Sequence, residues 1–140
     1  MFVLGFPLLL IPFVIYNIVA FIFRLPDDFW TTNALTVHMM SQQDWNLTWQ
    51  DIILTFSIFL LWIEIIKSTR IGMRSVMDHL LAMALFIGML VEFLLVTRAA
   101  TSTFFLLMVI ALVDVLAGFI IGMRSGRRQI EIEGPDRSAV

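Results

Sequence analysis

The chain of 140 residues contains no cysteine. That excludes disulfides, thiolate metal sites and a cysteine nucleophile. Only 14% of residues are charged, and only two are histidine. The formal net charge is −2, so bulk charge gives no footprint for nucleic acid. There is no H-E-x-x-H run, no phosphate-cradling glycine loop and no nucleophile–base constellation. The chain therefore reads as non-enzymatic. Its opening stretch, MFVLGFPLLLIPFVIYNIVAFIF, lacks the basic leader and small-residue cleavage site of a signal peptide. It reads as a retained membrane helix.

What is abundant is apolar. Hydrophobic residues make up 60% of the chain, and the mean hydropathy is +0.95. A soluble domain of this length cannot hide so much apolar surface. The apolar residues also come in blocks of spanning length: Phe2–Phe23, Leu47–Ile66, His79–Val96 and Thr103–Met123. Backbone groups in lipid must be satisfied internally, so each block is expected to be a helix. The expected fold is an all-α integral membrane protein. Its four transmembrane helices form two helical hairpins in one domain, residues 1–126, with a polar cytoplasmic tail over 127–140. Pro7 and Pro12 are expected to bend or break the first helix. Thr48 and Asp51 have the spacing of a capping box, which starts the second helix near Asn46–Trp49. Trp45 and Trp49 suit an interfacial belt.

Basic residues set the orientation. Lys67, Arg70 and Arg74 lie between the second and third blocks, and Arg124, Arg127, Arg128 and Arg137 follow the fourth. Only Arg24 and Arg98 fall on the other side. The asymmetry predicts a multi-pass protein of the cell inner (plasma) membrane with both termini cytoplasmic. The same basic patch offers a contact for anionic lipid. The loop from Arg24 to Asn46 is then external, and its middle part is expected to form a short amphipathic helix on the membrane surface.

The phrase IGMRS occurs twice, at Ile71–Ser75 and Ile121–Ser125, each with a carboxylate (Glu64, Asp114) ten residues before its arginine. Duplicated helical hairpins would look like this. So would two helices that both end at a cytoplasmic face, where arginine and glycine are common. The depths differ. Asp114 falls near mid-membrane, whereas Glu64 is about a turn from the interface, within reach of headgroups or Lys67.

Asp114 is the most informative residue, because an unpaired charge at the bilayer centre costs several kcal/mol. Four-residue spacing puts Asp114, Gly118, Gly122 and Gly126 on one helical face. The third helix carries a matching stripe, Ala84, Gly88 and Glu92. The short turn around Arg98–Ser102 makes the two helices antiparallel neighbours. The small-residue faces are expected to meet, with Asp114 near the level of Gly88 and Glu92 about a turn further out. Such a pair of acids is either interhelical glue or a proton or cation path, with Glu64 as an inner station. Ser57, Leu61, Glu64 and Ser68 are expected to form the inward face of the second helix. Asn17 reads as a packing contact and Arg98 as an exposed interfacial residue. His38 and His79 fall on opposite sides and cannot share one haem. His38–Met40 offers imidazole and thioether ligands that suit copper, but methionine is also ordinary in an interfacial segment. No metal and no cofactor are expected.

Four short helices resemble the small multidrug transporters in size alone. The first helix here has no acid where that family carries its essential glutamate. The expected function is an assembly or accessory subunit, acting in a homo-oligomer or a larger membrane complex through the small-residue faces of the third and fourth helices. The alternative is a component of an oligomeric proton or cation channel or transporter that uses Asp114 and Glu92.

Overall fold

The computed structural model describes residues 6–69 and 73–136, with side-chain surroundings for 6–69 and 76–123. The chain is mostly helical. Helix α1 covers Leu10–Asn17 and widens into a π turn at Ile18–Ile22. A 3-10 turn at Asp27–Thr31 leads into strands β1, Asn33–His38, and β2, Asp44–Thr48. Three long helices follow: α2, Trp49–Ser68; α3, Met73–Leu95; and α4, Ser102–Asp136. Within them, Trp49–Ser68, Val76–Leu95 and Ser102–Met123 are long and apolar enough to cross a membrane.

The first apolar block behaves differently from expectation. Its helix begins at Leu10 and is too short, with its π turn, to count among the spans. Pro12 does not break it. Pro12 occupies the first turn, where backbone N–H groups have no intrahelical partner to lose. The irregularity comes later, at the π turn, where the Phe23 N–H donates to the Ile18 carbonyl at 3.1 Å.

The loop between Arg24 and Asn46 also differs. Instead of an amphipathic helix, β1 and β2 form an antiparallel hairpin. Alternation in NALTVH and DWNLT, rich in β-branched and aromatic residues, has period two rather than 3.6. The loop Met39–Gln43 turns with Gln42 at φ 62°, and the Gln42 N–H donates to the Met39 carbonyl at 3.0 Å. Strand β2 runs straight into α2. Thr48 is its last residue and the helix N-cap, and the expected capping box forms: the Asp51 N–H donates to Thr48 Oγ1 at 3.3 Å, and the Thr48 N–H donates to Asp51 Oδ2 at 2.9 Å.

Helix α4 packs against both α2 and α3, which touch each other less. The α2 residues Ile53, Ser57, Leu60, Glu64 and Lys67 are buried. This seam repeats every three or four residues and faces the bundle. It shares Ser57 and Glu64 with the sequence expectation and favours Leu60 and Lys67 over Leu61 and Ser68. Ala82, Leu85 and Met89 of α3 and Phe104, Leu107, Met108, Ala111 and Asp114 of α4 are also buried. Beyond Met123 the chain does not leave the helix: α4 continues to Asp136, so most of the expected polar tail is helical.

Candidate functional site

The two ends of the bundle have different chemistry. At the hairpin end the core is aromatic. Tyr16 stacks on Trp30 with centroids 5.0 Å apart and meets Phe104 edge-on at 5.0 Å. Phe93 and Phe13 pack on the same Phe104 ring. The 3-10 turn at Asp27–Thr31 delivers Trp30 to this cluster. Tyr16 keeps its hydroxyl satisfied by donating to the Arg98 carbonyl at 2.9 Å, and it lies 2.6 Å from Thr101 Oγ1. Arg98 is not the exposed interfacial residue expected from sequence. Its guanidinium donates to the Ala20 carbonyl, inside the π turn of α1. A helix end has carbonyls without intrahelical donors, and a cation is well placed there.

At the opposite end the core is ionic. Glu64, Lys67 and Ser68 of α2, Asp78, His79 and Ala82 of α3, and Asp114 and Gly118 of α4 line one cavity of about 20 Å³. That is room for about one water molecule. Glu64, Lys67 and Asp114 are nearly withdrawn from the surface, at 5%, 9% and 6% exposure. Lys67 Nζ stands 3.4 Å from Glu64 Oε2 and donates to the Phe6 carbonyl at 3.0 Å. Glu64 Oε2 accepts the Leu8 N–H at 3.2 Å. One i,i+3 pair on α2 thus grips both a backbone carbonyl and a backbone N–H of the segment that leads into α1.

These contacts revise two sequence readings. Glu64 does pair with Lys67, but it does not reach toward headgroups. Lys67, assigned to topology and anionic lipid, is buried on the inner seam of α2 instead. The side chains of Arg70, Arg74, Arg124, Arg127 and Arg128 lie outside the described residues, as do those of both arginines in the repeated IGMRS phrase.

The expected meeting of Asp114 with Glu92 is not seen. Asp114 stands twelve residues into α4, and twelve residues back from the end of α3 is Met83, next to Ala82. The turn Thr97–Ala99 lengthens the connection, so Asp114 faces His79 and Ala82 rather than Gly88. Glu92 lies roughly 15 Å further along α3 from Ala82. There it accepts from Asn17 Nδ2 of α1 at 3.4 Å, so Asn17 is the packing contact expected. Among the described residues, Glu92 Oε1 and Asp78 Oδ1 are buried without a hydrogen-bond partner.

The small-residue faces do not meet each other either. Ala84 and Gly88 are exposed, because α3 turns Ala82, Leu85 and Met89 toward α4. A Cβ on Gly88 or Gly122 would meet nothing within 4 Å among the described residues. Gly118 is the exception: a Cβ there would lie 2.8 Å from His79 Nδ1. Its small size lets the His79 ring, which stacks with Phe119 at 6.4 Å, cover the cavity end of α4. Gly126 lies in α4 beyond the residues whose surroundings are described. Sequence reasoning missed Asp78 and the use of His79. The signal was present, since Asp78 and His79 precede Ala82 by one helical turn, the level that Asp114 reaches.

Comparison with protein-family models, curated proteins and solved structures finds no match for this chain.

Proposed function

We propose that the protein is a non-enzymatic, multi-pass inner-membrane subunit that assembles with further membrane helices through the outer faces of α3 and α4. In this reading α1 is a short fourth membrane-embedded helix, both termini are cytoplasmic, and the bundle is one domain. The observation that carries it is the position of the small residues. Ala84, Gly88 and Gly122 are spread along the outside of the bundle with open space beside Gly88 and Gly122. Small residues are valuable where another backbone approaches. Photo-crosslinking in native membranes tests this. A benzophenone side chain in place of Gly88 is expected to yield a discrete adduct of higher mass, and one in place of the exposed Phe105 only lipid-like smears. Identical patterns at the two positions would contradict it.

A second reading has its own support in the ionic cavity: proton or cation handling by the acids around Asp114, with Lys67 and His79 beside them. Glu92 belongs to a separate place in the bundle. The aromatic core at the hairpin end counts against a conducting path through one chain. Asp114→Asn keeps the shape and most of the hydrogen-bonding capacity of the carboxyl group. With assembly as the role, Asn is tolerated and Leu is not. Ion flux from liposomes holding the wild-type chain that disappears with Asp114→Asn would reverse the ranking.

A further inference from the structure

The β-hairpin sorts its side chains by face. Directly opposed residues share a face in an antiparallel pair. Leu35 opposes Leu47 and Val37 opposes Trp45, whereas Thr36 opposes Asn46 and His38 opposes Asp44. The polar face is satisfied internally. Thr36 Oγ1 donates to Asn46 Oδ1 at 2.9 Å, and His38 Nδ1 lies 2.6 Å from Asp44 Oδ1. On the apolar face Leu35 is 57% exposed and Trp45 50%, and Met40 at the tip is fully exposed.

We propose that this apolar face lies on the bilayer surface, so that the hairpin is a lipid-interface anchor with Met40 and Trp45 at the headgroup–acyl boundary. Three observations favour lipid over a protein occupant. A lone two-stranded hairpin is marginal in water and gains its stability from a covered face. The hairpin has no linker: Thr48 ends β2 and caps α2, and the Trp49 N–H donates to the Thr32 carbonyl at 3.3 Å, closing the root. The exposed apolar side chains of α2, a helix long and apolar enough to cross a membrane, begin at Trp49 and continue through Ile52, Phe56 and Phe59. The apolar face is therefore tethered where the membrane begins, and at about 3.4 Å per residue the strands reach roughly 20 Å across it. The third observation is charge. No lysine or arginine lies between Arg24 and Lys67, so nothing draws the hairpin to an acidic protein or to anionic headgroups. Its attraction is apolar and aromatic, which suits the interface of zwitterionic lipid. The inference is independent of the assembly reading.

Because the chain has no cysteine, single spin labels report single positions. Labels at Val37, Thr36 and Met40 are placed one at a time in the full chain, one chain per phosphatidylcholine nanodisc. Relaxation by oxygen and by a water-soluble nickel chelate is then compared. Val37 and Met40 are expected to favour oxygen and Thr36 nickel, an inversion across one residue of the same strand. Val37→Asp is expected to move the Met40 label toward the nickel reading while α2 stays folded. Nickel-dominated relaxation at Val37 and Met40 would overturn the proposal, because the hairpin would then stand in water. So would shielding of both labels from both reagents, which would mean that protein covers the face.

Discussion

Glu64 and Lys67 clamp the segment that leads into α1. The Glu64 carboxylate accepts the Leu8 N–H while its neighbour Lys67 holds the Phe6 carbonyl. Glu64→Ala leaves a buried ammonium and a buried N–H without their partner. The expected cost is about 1–3 kcal/mol, read from equilibrium unfolding in mixed micelles. Replacing Glu64 and Lys67 together with methionine is expected to recover part of it, since no lone charge then stays buried. A double variant worse than the sum of the two singles would contradict the clamp. Gly118→Ala forces the His79 ring aside, at about 1–3 kcal/mol, whereas Gly88→Ala is expected to leave stability unchanged. Equal effects would mean that His79 does not cover Gly118.

The acids themselves were legible as residues. Asp114 and Glu64 stand out in apolar runs, and the capping pair Thr48 and Asp51 follows from spacing alone. Their partners were not legible. Which acid meets which depends on the length of the α3–α4 connection, and a three-residue turn moves the level by about a helical turn. Lys67 shows the same limit. A lysine at the end of an apolar run looks like a topology marker, and only the packing of α2 on the segment before α1 shows it turned inward.

At the scale of elements, α1 depends on its neighbours for both ends. It is short, and part of it is a π turn. Helices of this length are marginal without tertiary support. Glu64 holds the Leu8 N–H just before its start, Arg98 holds the Ala20 carbonyl near its end, and Tyr16 ties its middle to the α3–α4 connection. Tyr16→Phe keeps the ring against Trp30 and Phe104 and loses only the hydroxyl contacts. It is expected to cost about 1 kcal/mol, with the loss in hydrogen-exchange protection confined to α1 and the residues around Thr101. Loss spread evenly over α2 and α3 would show that α1 is not a separate cooperative unit. The long helices were readable because their apolar runs match a span. The hairpin was not, because five or six alternating residues fit a short surface helix almost as well as a strand.

At the scale of the whole molecule, α4 is the element around which the others pack, and the bundle has an aromatic end and an ionic end. Membrane character followed directly from the apolar blocks, and three of the helices are long and apolar enough to cross a membrane. Under the proposed orientation, with both termini cytoplasmic, the ionic end lies in the cytoplasmic leaflet. Single cysteines at Thr32 and Ser138 are then expected to react with impermeant reagents from opposite sides of intact cells. Reaction of both from one side would remove the four-segment topology.

Native mass spectrometry of the chain, extracted with its lipids and with anything bound to it, tests the assembly claim most directly. The wild-type chain is expected to appear as a discrete species heavier than one copy. With Gly88→Leu or Gly122→Leu, that species is expected to give way to folded single chains, because a Cβ at either position meets nothing within 4 Å among the described residues. A wild-type spectrum of single chains, or a heavier species unchanged by both substitutions, would contradict the account.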